Sequence, residues 1–183
     1  MSTWIALFRG INVGGHGRLP MKELVRDLEG LGLHDVETYV QSGNAVFSSA
    51  VKAPVLAAQI EDVVEKKHGF RPRVLVLSDQ DFRAAAAANP FPAAEEEPKT
   101  VHLFFLATAC TDPDLAALDR LKLHAEQYLL TGSVFYLHTP KGYASSKLAA
   151  RVERSLGVPA TARNWRTVTK LLELAGIHAD GTR

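Results

Sequence analysis

Cysteine occurs once in this chain, at Cys110, which excludes an intramolecular disulfide and any site built from several thiolates. A lone thiol suits a reducing compartment and is expected to serve as a small buried apolar group. An excess of one charge is missing too. With a formal net charge of +1, the chain lacks the surplus of Lys and Arg by which general DNA or RNA binders neutralise phosphates, so any basic surface must be local. No apolar run approaches the roughly 20 residues of a membrane helix. Met1-Ser2-Thr3-Trp4 enters a strand without the basic segment and cleavable apolar core of a secretory leader. No membrane partner and a cytoplasmic location are expected.

What is present describes an ordinary globular chain. Its 183 residues, 46% hydrophobic and 22% charged, suffice for one domain or two small halves. The apolar run Trp4-Ile5-Ala6-Leu7-Phe8 predicts a strand buried on both faces, and the glycine-dense stretch from Arg9 to Arg18 follows as a loop. Met21, Leu24, Val25, Leu28 and Leu31 form one helical stripe, beginning at Pro20 and ended by Gly32. Val36, Thr38 and Val40 alternate with Glu37 and Tyr39 as a strand with one buried face, which Ser42-Gly43-Asn44 turns into Ala45-Val46-Phe47. Pro54 opens a helix that points Leu56, Ile60 and Val63 inward, and Gly69 closes it before the strand Val74-Leu75-Val76-Leu77. Ser78 and Asp81 have capping-box spacing for a helix stopped by Asn89-Pro90.

Residues 90–99, rich in Pro and Glu, read as a solvated linker. Beyond it the order returns. His102 to Leu106 is a strand, Asp112-Pro113 caps a helix bearing Leu115, Leu118 and Leu121, and Thr131-Gly132-Ser133 joins two strands. Leu148, Val152 and Leu156 then predict a helix ended by Gly157, Thr161 to Arg163 a short strand, and Trp165 to Ala175 a last helix. The expected fold class is α+β: two successive ferredoxin-like βαββαβ-type halves packed together, residues 1–89 and 100–183, related by duplication.

Four stretches are more polar than a core or a solvated face requires: the loop from Arg9 to Arg18, Gln41-Ser42-Gly43-Asn44, Gly142 to Lys147, and Arg163-Asn164-Trp165-Arg166. None contains Asp or Glu. Guanidinium, ammonium, amide and hydroxyl donors at strand ends and helix starts suit a receptor for phosphate or carboxylate, Arg as a bidentate fork and Lys as a point charge. A strand, a glycine loop and a helix N-terminus in succession also point backbone N–H groups at an anion. From Lys141 to Lys170 the positive residues Lys141, Lys147, Arg151, Arg154, Arg163, Arg166 and Lys170 face one acid, Glu153. Lys147, placed in the first turn of its helix, opposes the helix dipole unless an anion is near. Each signal has a structural reading as well. The loop glycines match neither the dinucleotide fingerprint nor the P-loop and can simply supply positive φ; Ser42-Gly43-Asn44 can be turn chemistry. Asn164 can be an N-cap, Trp165 a staple, Arg151 and Arg154 a solvated face, and His16 an exposed loop histidine.

The stretches Ala6-Leu7-Phe8-Arg9-Gly10-Ile11-Asn12-Val13-Gly14-Gly15 and Thr38-Tyr39-Val40-Gln41-Ser42-Gly43-Asn44-Ala45-Val46-Phe47 resemble the domain-of-unknown-function family 1697, a conserved bacterial cytosolic protein. Met21 with Glu23-Leu24, Lys147-Leu148, Ala162-Arg163-Asn164-Trp165, Thr167-Val168 and Lys170-Leu171 extend the resemblance over nearly the whole chain. The family pattern often has a basic or polar residue where this chain has His16. The resemblance implies a two-part α+β fold and brings no activity, substrate or catalytic residue.

The residues therefore predict a binding protein for a small phosphate- or carboxylate-bearing ligand, a nucleotide among the candidates, held in a basic cleft between the two halves. Arg9, Asn12 and the amides of Gly14 and Gly15 would hold the anion; Gln41, Ser42 and Asn44 would orient it; Lys147, Arg163 and Asn164 would close from the second half. Tyr39, Tyr143 or Trp165 would offer a base a flat face. The first alternative is a phosphoryl- or acyl-transfer enzyme using the same donors, with Ser145 or Ser146 beside Lys147 as nucleophile. The second is an RNA-binding module, although the aromatic-rich RNP pattern is absent. No motif supplies a metal site, and the sequence names no cofactor.

Overall fold

The computed structural model of the chain describes residues 1–41 and 43–176. Its elements are β1 (Ser2–Arg9), α1 (Met21–Gly30), β2 (His34–Thr38), β3 (Asn44–Ser49), α2 (Ala53–His68), β4 (Arg73–Ser78), α3 (Asp79–Ala87), α4 (Ala93–Glu96), β5 (Val101–Leu106), α5 (Leu115–Leu121), β6 (Gln127–Thr131), β7 (Val134–His138), α6 (Val152–Leu156), β8 (Ala160–Asn164) and α7 (Trp165–Leu174), with 3₁₀ turns at Tyr143–Ser145 and Ala149–Arg151. The architecture is mixed α+β with two four-stranded antiparallel sheets, ordered β2-β3-β1-β4 and β6-β7-β5-β8. The chain forms two compact units, one from Met1–Ala86 with the segment from Thr169 onward, the other Ala87–Val168. α7 therefore begins in the second unit and ends in the first. In the first unit its Lys170 is held protonated above the ordinary range by a hydrogen bond to Glu173, with Tyr39 and Glu37 adding to the effect. None of the helices is long and apolar enough to cross a membrane among the described residues.

In the first unit, Phe8, Phe47, Leu24, Leu28, Leu56, Ile60 and Val64 are buried in one cluster between the sheet and its helices. Each such side chain contributes roughly 1.5–3 kcal/mol by leaving water. The stripe read from Met21 to Leu31 is the face α1 buries, through Leu24 and Leu28. Pro in the first turn of α2 and left-handed Gly69 at its end set that helix's limits. Asp27 on the same buried face of α1 meets Lys67 Nζ and His68 Nε2 at 2.7 Å each, which ties α1 to the last turn of α2 and satisfies a buried carboxylate. Ser78 and Asp81 form the expected cap, with Asp81 N–H donating to Ser78 Oγ at 3.0 Å and Ser78 Oγ–H to the Asp81 carboxylate at 2.6 Å. In the second unit the equivalent cluster is Phe104, Phe135, Leu118, Leu148, Val152 and Leu156. Cys110 packs against it half-buried, its Sγ donating to Leu156 O at 3.0 Å.

Several local expectations need correction. β2 stops at Thr38, and Val40 is 44% exposed with φ of 54°, because the chain turns left-handed there instead of continuing the alternation. The α5 cap is Asp114, whose carboxylate takes the Ala117 N–H at 2.9 Å, two residues beyond Asp112. Segment 90–99 is not structureless: α4 lies inside it and buries Ala94. The helix read from Leu148, Val152 and Leu156 keeps its buried stripe but winds as a 3₁₀ turn followed by α6. Ser146 Oγ takes the Ala149 N–H at 3.0 Å and Arg151 N–H reaches Leu148 O at 2.8 Å, a tightened winding that competes with the α ladder.

Candidate functional site

β1 delivers the chain to a loop that folds back on itself. Asn12 N–H donates to Gly17 O at 2.9 Å and His16 N–H to Val13 O at 3.0 Å, leaving Gly14 and Gly15 exposed at the tip. Gly17 permits this closure: its φ is 62°, and a Cβ there would run into the Gly10 carbonyl oxygen. The loop is anchored by Asn12, which adopts a φ of 52° that asparagine tolerates better than most residues. Its Nδ2 donates to Leu19 O and to Gln41 O, both at 2.8 Å, while Oδ1 accepts from Leu19 N–H at 2.8 Å. One amide thus joins the loop, the entry to α1 and the turn after β2. Asn12→Asp turns an acceptor toward two carbonyl oxygens, and is expected to lower unfolding free energy by about 3 kcal/mol in urea titrations. A variant as stable as the parent would show that the loop does not depend on this donor.

The pinned loop borders a pocket of about 540 Å³ lined by Asn12, Arg18, Pro20, Met21, Lys22 and Gln41. α1 starts at its wall, with Pro20 in the N-cap position and no side chain capping the helix. Arg18, Lys22 and Gln41 are exposed. The pocket therefore combines two cations, an amide and the positive end of a ten-residue helix. Neither Arg18 nor Lys22 stands out by sequence motif. The usable signal is position: Lys22 occupies the first turn after a proline N-cap, and Arg18 closes the glycine loop.

Arg9 is exposed at the end of β1, outside the pocket lining. Gly14 and Gly15 face open space. Asn44 is completely buried, with Nδ2 donating to Tyr39 O at 2.9 Å, so it closes the β2–β3 connection and is inaccessible to a ligand. Ser42 lies outside the described residues. His16 is exposed.

In the second unit, Lys147 lines a pocket of about 470 Å³ with Ala117, Arg120, Leu121, Ala150 and Arg151. Arg163 is 9% exposed, with Nη1 donating to Ala162 O at 2.8 Å, and burial pulls its pKa down to about 10, which leaves it charged at neutral pH. Asn164 caps α7, its Oδ1 taking the Thr167 N–H at 2.9 Å. Trp165 is buried, and its Nε1 has no hydrogen-bond partner among the described residues. Ser145 Oγ–H is directed at the carbonyls of Lys141 and Gly142, at 3.1 and 2.9 Å, and Ser146 is buried. No group of three or more His, Cys, Asp or Glu that could hold a metal occurs among the described residues.

A family model described as "Protein of unknown function (DUF1697)" matches residues 1–136. Among solved structures, the chain is similar to a conserved bacterial protein, SP0830 from Streptococcus pneumoniae, with 27% identity, a TM-score of 0.70, and 95% of this chain and 98% of that one covered. No curated protein matches.

Proposed function

The chain belongs to the DUF1697 family, and from that premise, which carries no activity with it, we propose that it binds a small ligand bearing a phosphate or carboxylate at the loop-to-helix junction of its first unit. The observation that supports this most is the uncapped N-terminus of α1 opening beside Arg18 and Lys22 in a 540 Å³ pocket. Free N–H groups at a helix start bind anions, and the two cations add a bidentate fork and a mobile point charge. Gln41 supplies an uncharged donor and acceptor for the remainder of the ligand. The volume falls within the roughly 300–1,000 Å³ typical of small-molecule sites, so a nucleotide is within reach. Each unit is read as a ferredoxin-like repeat, a reading supported by the matching strand orders of the two sheets.

Neither alternative gains a specific observation. Both serine candidates for group transfer are engaged with backbone groups. On the central strands, Phe8, Phe47, Phe104, Phe105, Phe135 and Tyr136 are buried and offer no face to an RNA base, and Trp4 is half-buried against the core with its Nε1 donating to Ser49 O at 3.2 Å.

Calorimetry of the full chain against nucleotides, sugar phosphates and small carboxylates tests the proposal. At least one anion is expected to bind the parent and to bind Arg18→Ser/Lys22→Ser at least about tenfold more weakly. Equal affinity for both proteins across the panel, or no binding at all, overturns it.

A further inference from the structure

The second unit holds a separate concentration of positive charge, and we infer that Arg120, Lys147 and Arg151 form an anion site of their own, one that takes pyrophosphate or the phosphate group of a small phosphorylated molecule. Two short segments build it. α5 contributes Ala117, Arg120 and Leu121, and the stretch entering α6 contributes Lys147, Ala150 and Arg151. On α5, Ala117, Arg120 and Leu121 share one side by i, i+3, i+4 spacing, and Lys147, just before the 3₁₀ turn that carries Ala150 and Arg151, lines the same 470 Å³ pocket with them. Apolar Ala117, Leu121 and Ala150 complete the lining and leave room for the carbon part of a ligand.

The charge inside this pocket is unbalanced. No Asp or Glu lines it. Two acids of the α5 segment are directed elsewhere: Asp114 takes the Ala117 N–H at 2.9 Å, and Asp119 accepts from Tyr128 Oη at 2.7 Å. Among the described residues, none of the ion pairs involves Arg120, Lys147 or Arg151. The C-terminal end of α5 accounts for a cation at Arg120 alone. Three like charges around one concavity raise the local potential and favour a multiply charged anion over a monovalent one. Helical periodicity alone places Arg151 on a solvated face; in the structure it is half-buried in this lining.

Titration of the full chain with inorganic pyrophosphate at low, matched ionic strength tests the assignment, read by backbone amide NMR and calorimetry. Amide shifts are expected to concentrate at residues 117–121 and 147–151. Binding should persist in Arg18→Ser/Lys22→Ser and weaken at least about tenfold in Arg120→Ser/Lys147→Ser/Arg151→Ser. The charge-matched control Lys52→Ser/Lys66→Ser/Lys99→Ser should retain it. Shifts absent from both segments overturn the inference, as does an equal loss in the control, which would mark diffuse attraction. Binding that survives the first triple substitution but vanishes in Arg18→Ser/Lys22→Ser also overturns it, while leaving the first-unit site intact.

Discussion

Gly43→Ala is expected to destabilise the protein by about 3–5 kcal/mol, a large share of the roughly 5–15 kcal/mol that holds an ordinary domain folded. Two independent costs combine at this position. Its φ of 85° lies in the left-handed region, where a side chain brings strain of about 1–3 kcal/mol. A methyl there would also lie 2.7 Å from Phe8 Cβ and 2.9 Å from Ile11 Cγ1, and closer still to Ile11 Cδ1. Phe8 and Ile11 are each 1% exposed, so neither can swing aside into solvent. Gly43 O also accepts from Phe8 N–H at 2.9 Å, which extends the damage to the β1–β3 ladder and to the turn that positions Gln41. Gly14→Ala is the informative comparison. It shares the positive φ but meets nothing within 4 Å, so it should cost only about 1 kcal/mol. Denaturant unfolding of the two variants separates the contributions, and equal losses would refute the steric account.

The second large effect is a loss of stability on acidification that depends on His102. This ring is 8% exposed, stacks on Tyr143 with centroids 4.1 Å apart, and its Nδ1 has no hydrogen-bond partner among the described residues. Burial pulls its pKa from the ordinary 6.5 down to about 4. The folded protein thus holds the ring neutral under conditions in which the unfolded chain protonates it. Its contribution to stability is complete above pH 6.5 and declines as pH falls toward 4, because the unfolded state gains a proton that the native state does not. The full decline amounts to roughly 3 kcal/mol. His102→Phe keeps a flat ring against Tyr143 and removes the titration. Its stability loss between pH 7 and pH 4.5 should be smaller than the parent's by about 2 kcal/mol or more, and identical acid limbs would reject this role.

Much of the fold follows from local pattern. The stripe from Met21 to Leu28, the apolar run of β1 and the Ser78–Asp81 cap depend on neighbours within a few residues, and the structure keeps all of them. The candidate site is less legible because exposure cannot be seen in a sequence, whether the partner is distant or near. Asn12 reaches Gln41 O, 29 residues away, and Asn44 turns inward to Tyr39 O in its own turn, while both amides read in the sequence as ligand donors. Val40 gave no warning of its left-handed φ, a conformation rarely adopted by β-branched residues. Arg120 is illegible for another reason. Its segment is identified by the apolar positions Leu115, Leu118 and Leu121, and nothing local reveals that Arg120, beside Leu121, shares a pocket with Lys147 and Arg151.

The division of α7 bears on how the polypeptide is made. The first unit includes the segment from Thr169 onward, which a ribosome adds only after the whole of Ala87–Val168 has been synthesised. The amino-terminal sheet can pair its strands early, yet its unit lacks a constituent piece until late in translation. A chain ending at Val168 would contain every residue of the second unit but not of the first, so the unit begun first is the one completed last.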